Sequence, residues 1–169
     1  MSAGHTSEIH CLDADALINI QRYYPEALKE VSRYAKDGRI VIPEGVYREI
    51  SRKTDRLKHM VQTWHEKYGA VIQIDTPTLH TELARMETAY GEAILLGKQE
   101  RRGFWKSRSG KLSADSQVVA VSKTNGYIAV SNDQAVQDAC HIENVPCIGW
   151  QEFYRRVKQG FTGQGVLFE

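Results

Sequence analysis

The sequence predicts an α/β domain of three layers, with helices covering both faces of a central parallel sheet. Short apolar runs alternate with segments of helical period along most of the chain. The length, 169 residues, is about that of one domain and long enough to bury a core without covalent staples. A hydrophobic content of 41% with 25% charged residues is ordinary globular composition and excludes wholesale disorder.

The first strand is Glu8–Leu12, ending on Asp13, and a helix follows from about Ala14 to Tyr23-Tyr24. Pro25 disfavours helix in the residue before it and suits the first turn of the next. Ala27, Leu28, Val31, Tyr34 and Ala35 then recur at helical spacing until Asp37-Gly38. Arg39–Ile42 reads as the second strand, and Pro43 opens a helix in which Val46, Tyr47 and Ile50 share a face. Thr54 or Asp55 can cap the next helix, which carries Leu57, Met60, Val61 and Trp64. Val71–Ile74 is a short apolar run of ambiguous type. Thr76 and Pro77 look like the cap and first turn of a helix running towards Gly97. Ala114–Lys123 is helical, Tyr127–Val130 is a strand, Gln134–Glu143 a helix, Val145–Ile148 a strand and Trp150–Lys158 the last helix. Residues 1–158 therefore read as one domain and 159–169, with three glycines, as a loose tail in which Val166–Phe168 could dock.

A formal charge of +1 excludes a uniformly basic nucleic-acid coat but leaves room for local asymmetry. There is no apolar run of the roughly 18 residues a membrane span needs, and Met1–Glu8 lacks the apolar stretch of a signal peptide. Three cysteines, Cys11, Cys140 and Cys147, suit a reducing compartment, so a cytoplasmic, membrane-free protein is expected. Cys140 and Cys147 read as small buried hydrophobes, and His59 and His65 as surface helix residues.

Acidic residues fall where an open parallel sheet gathers its ligands, outside the carboxyl ends of the strands. Asp13 follows the first strand and Asp133 follows Tyr127–Val130. Asp115 sits in the first turn of the helix entering that strand, and Glu49 lies two turns into the helix after Arg39–Ile42. Asp115 and Asp133 also stand where capping or first-turn acids are favoured, and Glu49 where a solvated helix residue is common. Asp13, between Cys11-Leu12 and Ala16-Leu17-Ile18, needs a partner or a metal. Four converging carboxylates would repel one another, and a hard divalent cation, Mg²⁺ or Mn²⁺, relieves that conflict.

These segments together resemble the PIN-domain nucleases. LDADALI, from Leu12, is similar to the family's opening motif; PEGVYREI, from Pro43, to its second, with the acid at Glu49. SADSQVVAVSKTNG resembles the segment bearing the third acid, Asp115, and YIAVSND the strand bearing the fourth, Asp133. VPCIGWQEFYRRV is like the closing strand and helix. Tyr23-Tyr24-Pro25, GRIVIPEGVYREI and Asp55, Leu57 and Trp64 further resemble a PIN-like subgroup whose members look like toxins of toxin–antitoxin pairs. Asp15 departs from the usual Ser or Asn, and segment 54–113 is longer than in the smallest PIN toxins.

The resemblance implies a metal-dependent endoribonuclease that leaves a 5′-phosphate product. It implies that Asp13, Glu49, Asp115 and Asp133 hold one or two Mg²⁺ or Mn²⁺ ions. Asp15, Ser131 and Asn132 would give support. RNA is the implied substrate, with a cognate antitoxin and a homodimeric state as the implied partners. The window from Arg101 to Lys111 holds Arg101, Arg102, Lys106, Arg108 and Lys111, no acid, and the aromatics Phe104 and Trp105. It reads as a flexible loop binding RNA beside Asp115, by phosphate contact and base stacking, against the plainer reading of a solvated loop with tucked aromatics. Tyr23, Tyr24 and Trp64 read as packing residues, and Glu92 as a candidate supporting acid. Two other functions compete: a non-catalytic RNA- or partner-binding module on the same scaffold, and a haloacid-dehalogenase-type phosphatase with Asp13 as nucleophile. Leu17 stands where the latter wants Thr or Val, and Asp133 alone serves poorly for its late acidic pair.

Overall fold

The structure, a computed structural model, describes residues 8–53, 55–104 and 114–161. Seven strands occur in it: His10–Leu12 (β1), Ile40–Pro43 (β2), Val71–Ile72 (β3), Ala93–Leu96 (β4), Gln99–Arg102 (β5), Ile128–Val130 (β6) and Cys147–Ile148 (β7). Five of them form a parallel sheet in the order β3-β2-β1-β6-β7. The helices are Ala14–Tyr23 (α1), Leu28–Lys36 (α2), Glu44–Ser51 (α3), Arg56–Thr63 (α4), Pro77–Tyr90 (α5), Ala114–Asn125 (α6), Gln134–Glu143 (α7) and Trp150–Lys158 (α8). A 3₁₀ turn at Pro25–Ala27 joins α1 to α2, and α4 runs on into a π-helical turn at Trp64–Tyr68.

The central strands are buried along their whole length, as strands covered on both faces must be. Alternation along β1 sends His10 against Phe153 of α8 (ring centroids 5.6 Å) and Cys11 towards Ser122 of α6. From Ser116 to Ser122 every residue of α6 is buried, so that helix is core on all sides. Local chemistry starts the helices where expected. Asp55 accepts from the Lys58 N–H (3.2 Å) at α4, and Thr76 from the Leu79 N–H (3.2 Å) at α5. Trp64 is buried and its Nε1–H donates to Ser32 Oγ (2.9 Å). Beyond α8, Phe161 packs against His10 and Tyr34, with the Arg39 guanidinium 4.9 Å from its ring; Val166–Phe168 lie outside the described residues.

One expected element differs. The helix from Thr76 ends at Tyr90 rather than near Gly97, and 93–102 forms an antiparallel hairpin, β4 with β5. Gly97, in the left-handed region at φ +62°, makes the two-residue turn with Lys98. The alternation that a hairpin requires is present, with Ile94 buried and Leu95 exposed. Gly103 then brings the chain back to α5, so close that a Cβ would lie 1.9 Å from Tyr90 O. There the Phe104 N–H donates to Tyr90 O (2.8 Å).

Candidate active site

From β1 the chain moves outward to β2 and β3, and it later returns to β6 and β7 on the other side of β1. Strand order thus reverses between β1 and β6. Such a point opens a crevice beyond the strands' carboxyl ends, and Asp13 and Ser131-Asn132-Asp133 are the residues that stand there. The Asp13 N–H donates to Val130 O (3.1 Å), tying the two strand ends together.

Asp13 caps α1, its Oδ1 accepting from the Ala16 N–H (2.8 Å), and it is 2% exposed. Burial pushes its carboxyl up to about 6, against the pull of the Ser131 hydroxyl and the Ala16 N–H and with the repulsion of Asp15 and Asp133. Asp133 is exposed and caps α7, Oδ1 accepting from the Ala135 (2.8 Å) and Val136 (3.2 Å) N–H groups. Asp115, in the first turn of α6, is pushed up to about 7. Burial is the largest cause, followed by the charges of Asp133, Asp13, Glu49 and Asp15. Glu49, exposed on α3, is raised by desolvation and then by Asp15, against Arg52 and Lys53. The carboxylates singled out in the sequence are therefore electrostatically coupled at one end of the sheet.

Hydrogen bonds stitch the supporting elements together. Ser131 Oγ accepts from the Asp133 N–H (3.0 Å), and Ser131 O accepts from Gln137 Nε2 (3.1 Å). Asn132 faces α8, where its Oδ1 accepts from the Trp150 N–H (2.7 Å) and its Nδ2 donates to Gln151 (3.1 Å). Gln117 of α6, 4% exposed, accepts from the Gly45 N–H (2.7 Å) and so fastens the helix of Glu49 to the helix of Asp115.

All the donors in this cluster are oxygens, and without a cation their charges oppose one another, which fits a hard divalent ion. Among the described residues no three acidic, histidine or cysteine side chains are assembled to ligate one ion directly. The set therefore suits an ion held by one or two carboxylates and its own waters, the usual habit of Mg²⁺.

A cleft of about 570 Å³ opens beside the acids, lined by Arg101, Arg102, Gly103, Asp115, Asp133, Gln134 and Ala135. Arg101 and Arg102 reach it from β5, not from a flexible loop. Contrary to the expected stacking role, Phe104 is 1% exposed and edge-on to Tyr90, so it has no face for a base. The close approach of Gly103 to α5 turns it inward. Trp105, Lys106, Arg108 and Lys111 lie outside the described residues. Gln117, Gln134 and Asp138 were not singled out in the sequence. Gln117, a long polar side chain in an otherwise apolar stretch of α6, was the one with a visible signal.

A family profile described as a domain of unknown function, DUF4411, matches residues 10–161. The chain belongs to that family. No curated relative matches the DUF4411 chain. Its fold is similar to that of DNA-bound VapBC from Salmonella typhimurium, at 14% identity and a TM-score of 0.51, covering 85% of this chain and 98% of that one. It is also similar to the PIN domain of RRP44 from T. brucei, at 15% identity and a TM-score of 0.51, covering 93% of this chain and 84% of that one. The DUF4411 chain thus has the PIN-like fold, a five-stranded parallel sheet between helices.

Proposed function

We propose that this chain is an endoribonuclease dependent on Mg²⁺ or Mn²⁺ and the toxin of a toxin–antitoxin pair. The observation that carries the reading is the coupled set Asp13, Glu49, Asp115 and Asp133 at the strand-order reversal, with two arginines lining the same cleft. These four acids would hold the ion, directly or through water, with Asp15, Ser131 and Asn132 in support. Bound there, the ion supplies an activated water and charge neutralisation at a phosphodiester. Asp13 contributes a carboxylate whose direction is set by the Ala16 N–H. Asp133 commits Oδ1 to the helix cap, leaving Oδ2 for the cleft. Arg101 and Arg102 bind the phosphates of the RNA strand, and the cleaved product carries a 5′-phosphate.

The resemblance to toxin-like PIN proteins and the fold shared with VapBC support a cognate antitoxin as partner, and a homodimer is part of the proposal. No helix among the described residues is long and apolar enough to cross a membrane, and cytoplasmic action belongs to the same reading. The test is cleavage of a single-stranded RNA in Mg²⁺ or Mn²⁺ by the wild-type chain and by Asp13→Asn, which keeps the shape and removes the charge. We expect Asp13→Asn to cleave at least about 100-fold more slowly than the wild type, equivalent to roughly 2.7 kcal/mol of barrier. Full activity in Asp13→Asn overturns the reading.

A further inference from the structure

The cleft has a wall whose chemistry the acid cluster does not account for. Asp138 lies on α7, five residues after Asp133, and is 5% exposed. A carboxylate so buried requires partners. Gln134 Nε2 donates to its Oδ1 (2.8 Å), and Arg101 Nε stands 3.3 Å from its Oδ2 as an ion pair, without the geometry of a hydrogen bond, so that Oδ2 is buried and accepts none among the described residues. Among the described residues Arg101 is the only cation paired with it. The Arg101 side chain keeps 44% of its surface open, so the pair is not a core salt bridge. The Nε edge of the guanidinium lies beside Asp138, and Arg101 lines the same cleft as Asp115 and Asp133. Arg101 Nη2 also donates to Gln99 Oε1 (3.2 Å), on the same strand. Among the described residues nothing accepts from Nη1 or from the second Nη2 proton, the fork that takes phosphate in two parallel hydrogen bonds.

We propose that Asp138 is a positioning residue that aims Arg101 across the acid cleft to take a phosphate of the bound RNA. This deepens the nuclease reading and rests on it. A free arginine on a hairpin would search many rotamers before meeting a phosphate. The charge of the buried Asp138 carboxylate beside Nε and the Gln99 contact at Nη2 narrow that search before the strand arrives. Gln134 belongs to the same device, since it satisfies the Asp138 oxygen that Arg101 does not face.

The experiment measures binding separately from cleavage. A 5′-labelled single-stranded RNA is titrated in EDTA, by fluorescence anisotropy at several salt concentrations, with the full chain and with Arg101→Gln, Asp138→Asn and the double variant. We expect Arg101→Gln to weaken binding about 5- to 10-fold and to flatten the salt dependence by about one phosphate contact. Asp138→Asn should weaken it several-fold, and the double variant should bind no worse than Arg101→Gln alone. Arg101→Lys, which keeps a positive charge opposite Asp138 but replaces the planar fork by a point charge, should lose affinity several-fold. This arm decides the matter if Asp138→Asn does not fold. Losses that add in the double variant, an unaltered Arg101→Lys, or no RNA binding by the wild-type chain each overturn the proposal. If the expected coupling appears but no variant or wild type cleaves RNA in Mg²⁺ or Mn²⁺, the nuclease reading fails and the Asp138–Arg101 pairing stands. Cleavage by the wild type together with an indifferent Asp138→Asn has the opposite meaning.

Discussion

Asp115 and Glu143 are both carboxylates on helices beside the same sheet, and their surroundings move them in opposite directions. Glu143, at the end of α7, has Arg85 Nη2 and Lys123 Nζ each 2.7 Å from Oε1, with Tyr90 donating its hydroxyl proton to Oε2. Arg85 also reaches Glu82 (3.0 Å), and Lys123 reaches it as well (3.1 Å). The Arg85 pairing above all holds the Glu143 carboxyl down at about 2. Asp115 has burial and four like charges around it and is driven up to about 7. One network is arranged so that folding alone satisfies it. The other gathers like charges at the crevice of the sheet, and carboxyls raised at such a place are candidates for function rather than stability.

On the proposed reading, a divalent cation should show the contrast most strongly. At Mn²⁺ one hundred times above its dissociation constant, the wild-type fold should gain about 2.7 kcal/mol, read as a rise in melting temperature over the same protein in EDTA. Asp115→Asn should lose that gain while melting above the wild type in EDTA, because it removes repulsion. An equal Mn²⁺ shift in both proteins breaks the comparison. At the paired cluster the expectation reverses: Glu143→Gln should cost about 1–2 kcal/mol in denaturant unfolding and leave RNA cleavage unchanged.

The smallest effect is the pH profile of the metal-free protein. Asp115 and Asp13 hold their protons more tightly folded than unfolded, so their penalty is full above pH 7 and fades as pH falls towards 4. Glu143 and Glu152, with carboxyls held down at about 2, contribute stability that is present above pH 4.5 and lost as pH falls towards 2. Metal-free stability should therefore peak between about pH 4.5 and 6, by on the order of 1 kcal/mol over pH 7.5 once solvent screening is allowed for. Thermal melts in EDTA across that range read it, and Asp115→Asn should flatten the rise.

Where an apolar run ends on an acid, as at Leu12-Asp13 and Val130-Ser131-Asn132-Asp133, the strand, the turn and the following helix were legible in the sequence. Period-2 burial was too short to stand out in the 93–102 hairpin. Ala93-Ile94-Leu95-Leu96 is as good a helix as a strand in isolation, and only pairing with Gln99–Arg102 across Gly97-Lys98 decides it. Phe104 was misread for a related reason, since its burial follows from Gly103 meeting the Tyr90 carbonyl, a contact across the chain. Asp138 gave no signal at all. In sequence it is one more acid on an amphipathic helix, and its meaning depends on an arginine from a strand 37 positions earlier.

Gly45 leaves no room for a Cβ while Gln117 stays where it is. A Cβ there would sit 2.7 Å from Gln117 Oε1, so a methyl group would act as a shim between the helix of Glu49 and the helix of Asp115. The spacing between the helix of Glu49 and the helix of Asp115 is thus set where a residue without a side chain meets an amide. A side-chain amide serves as the caliper, at a point that touches neither acid.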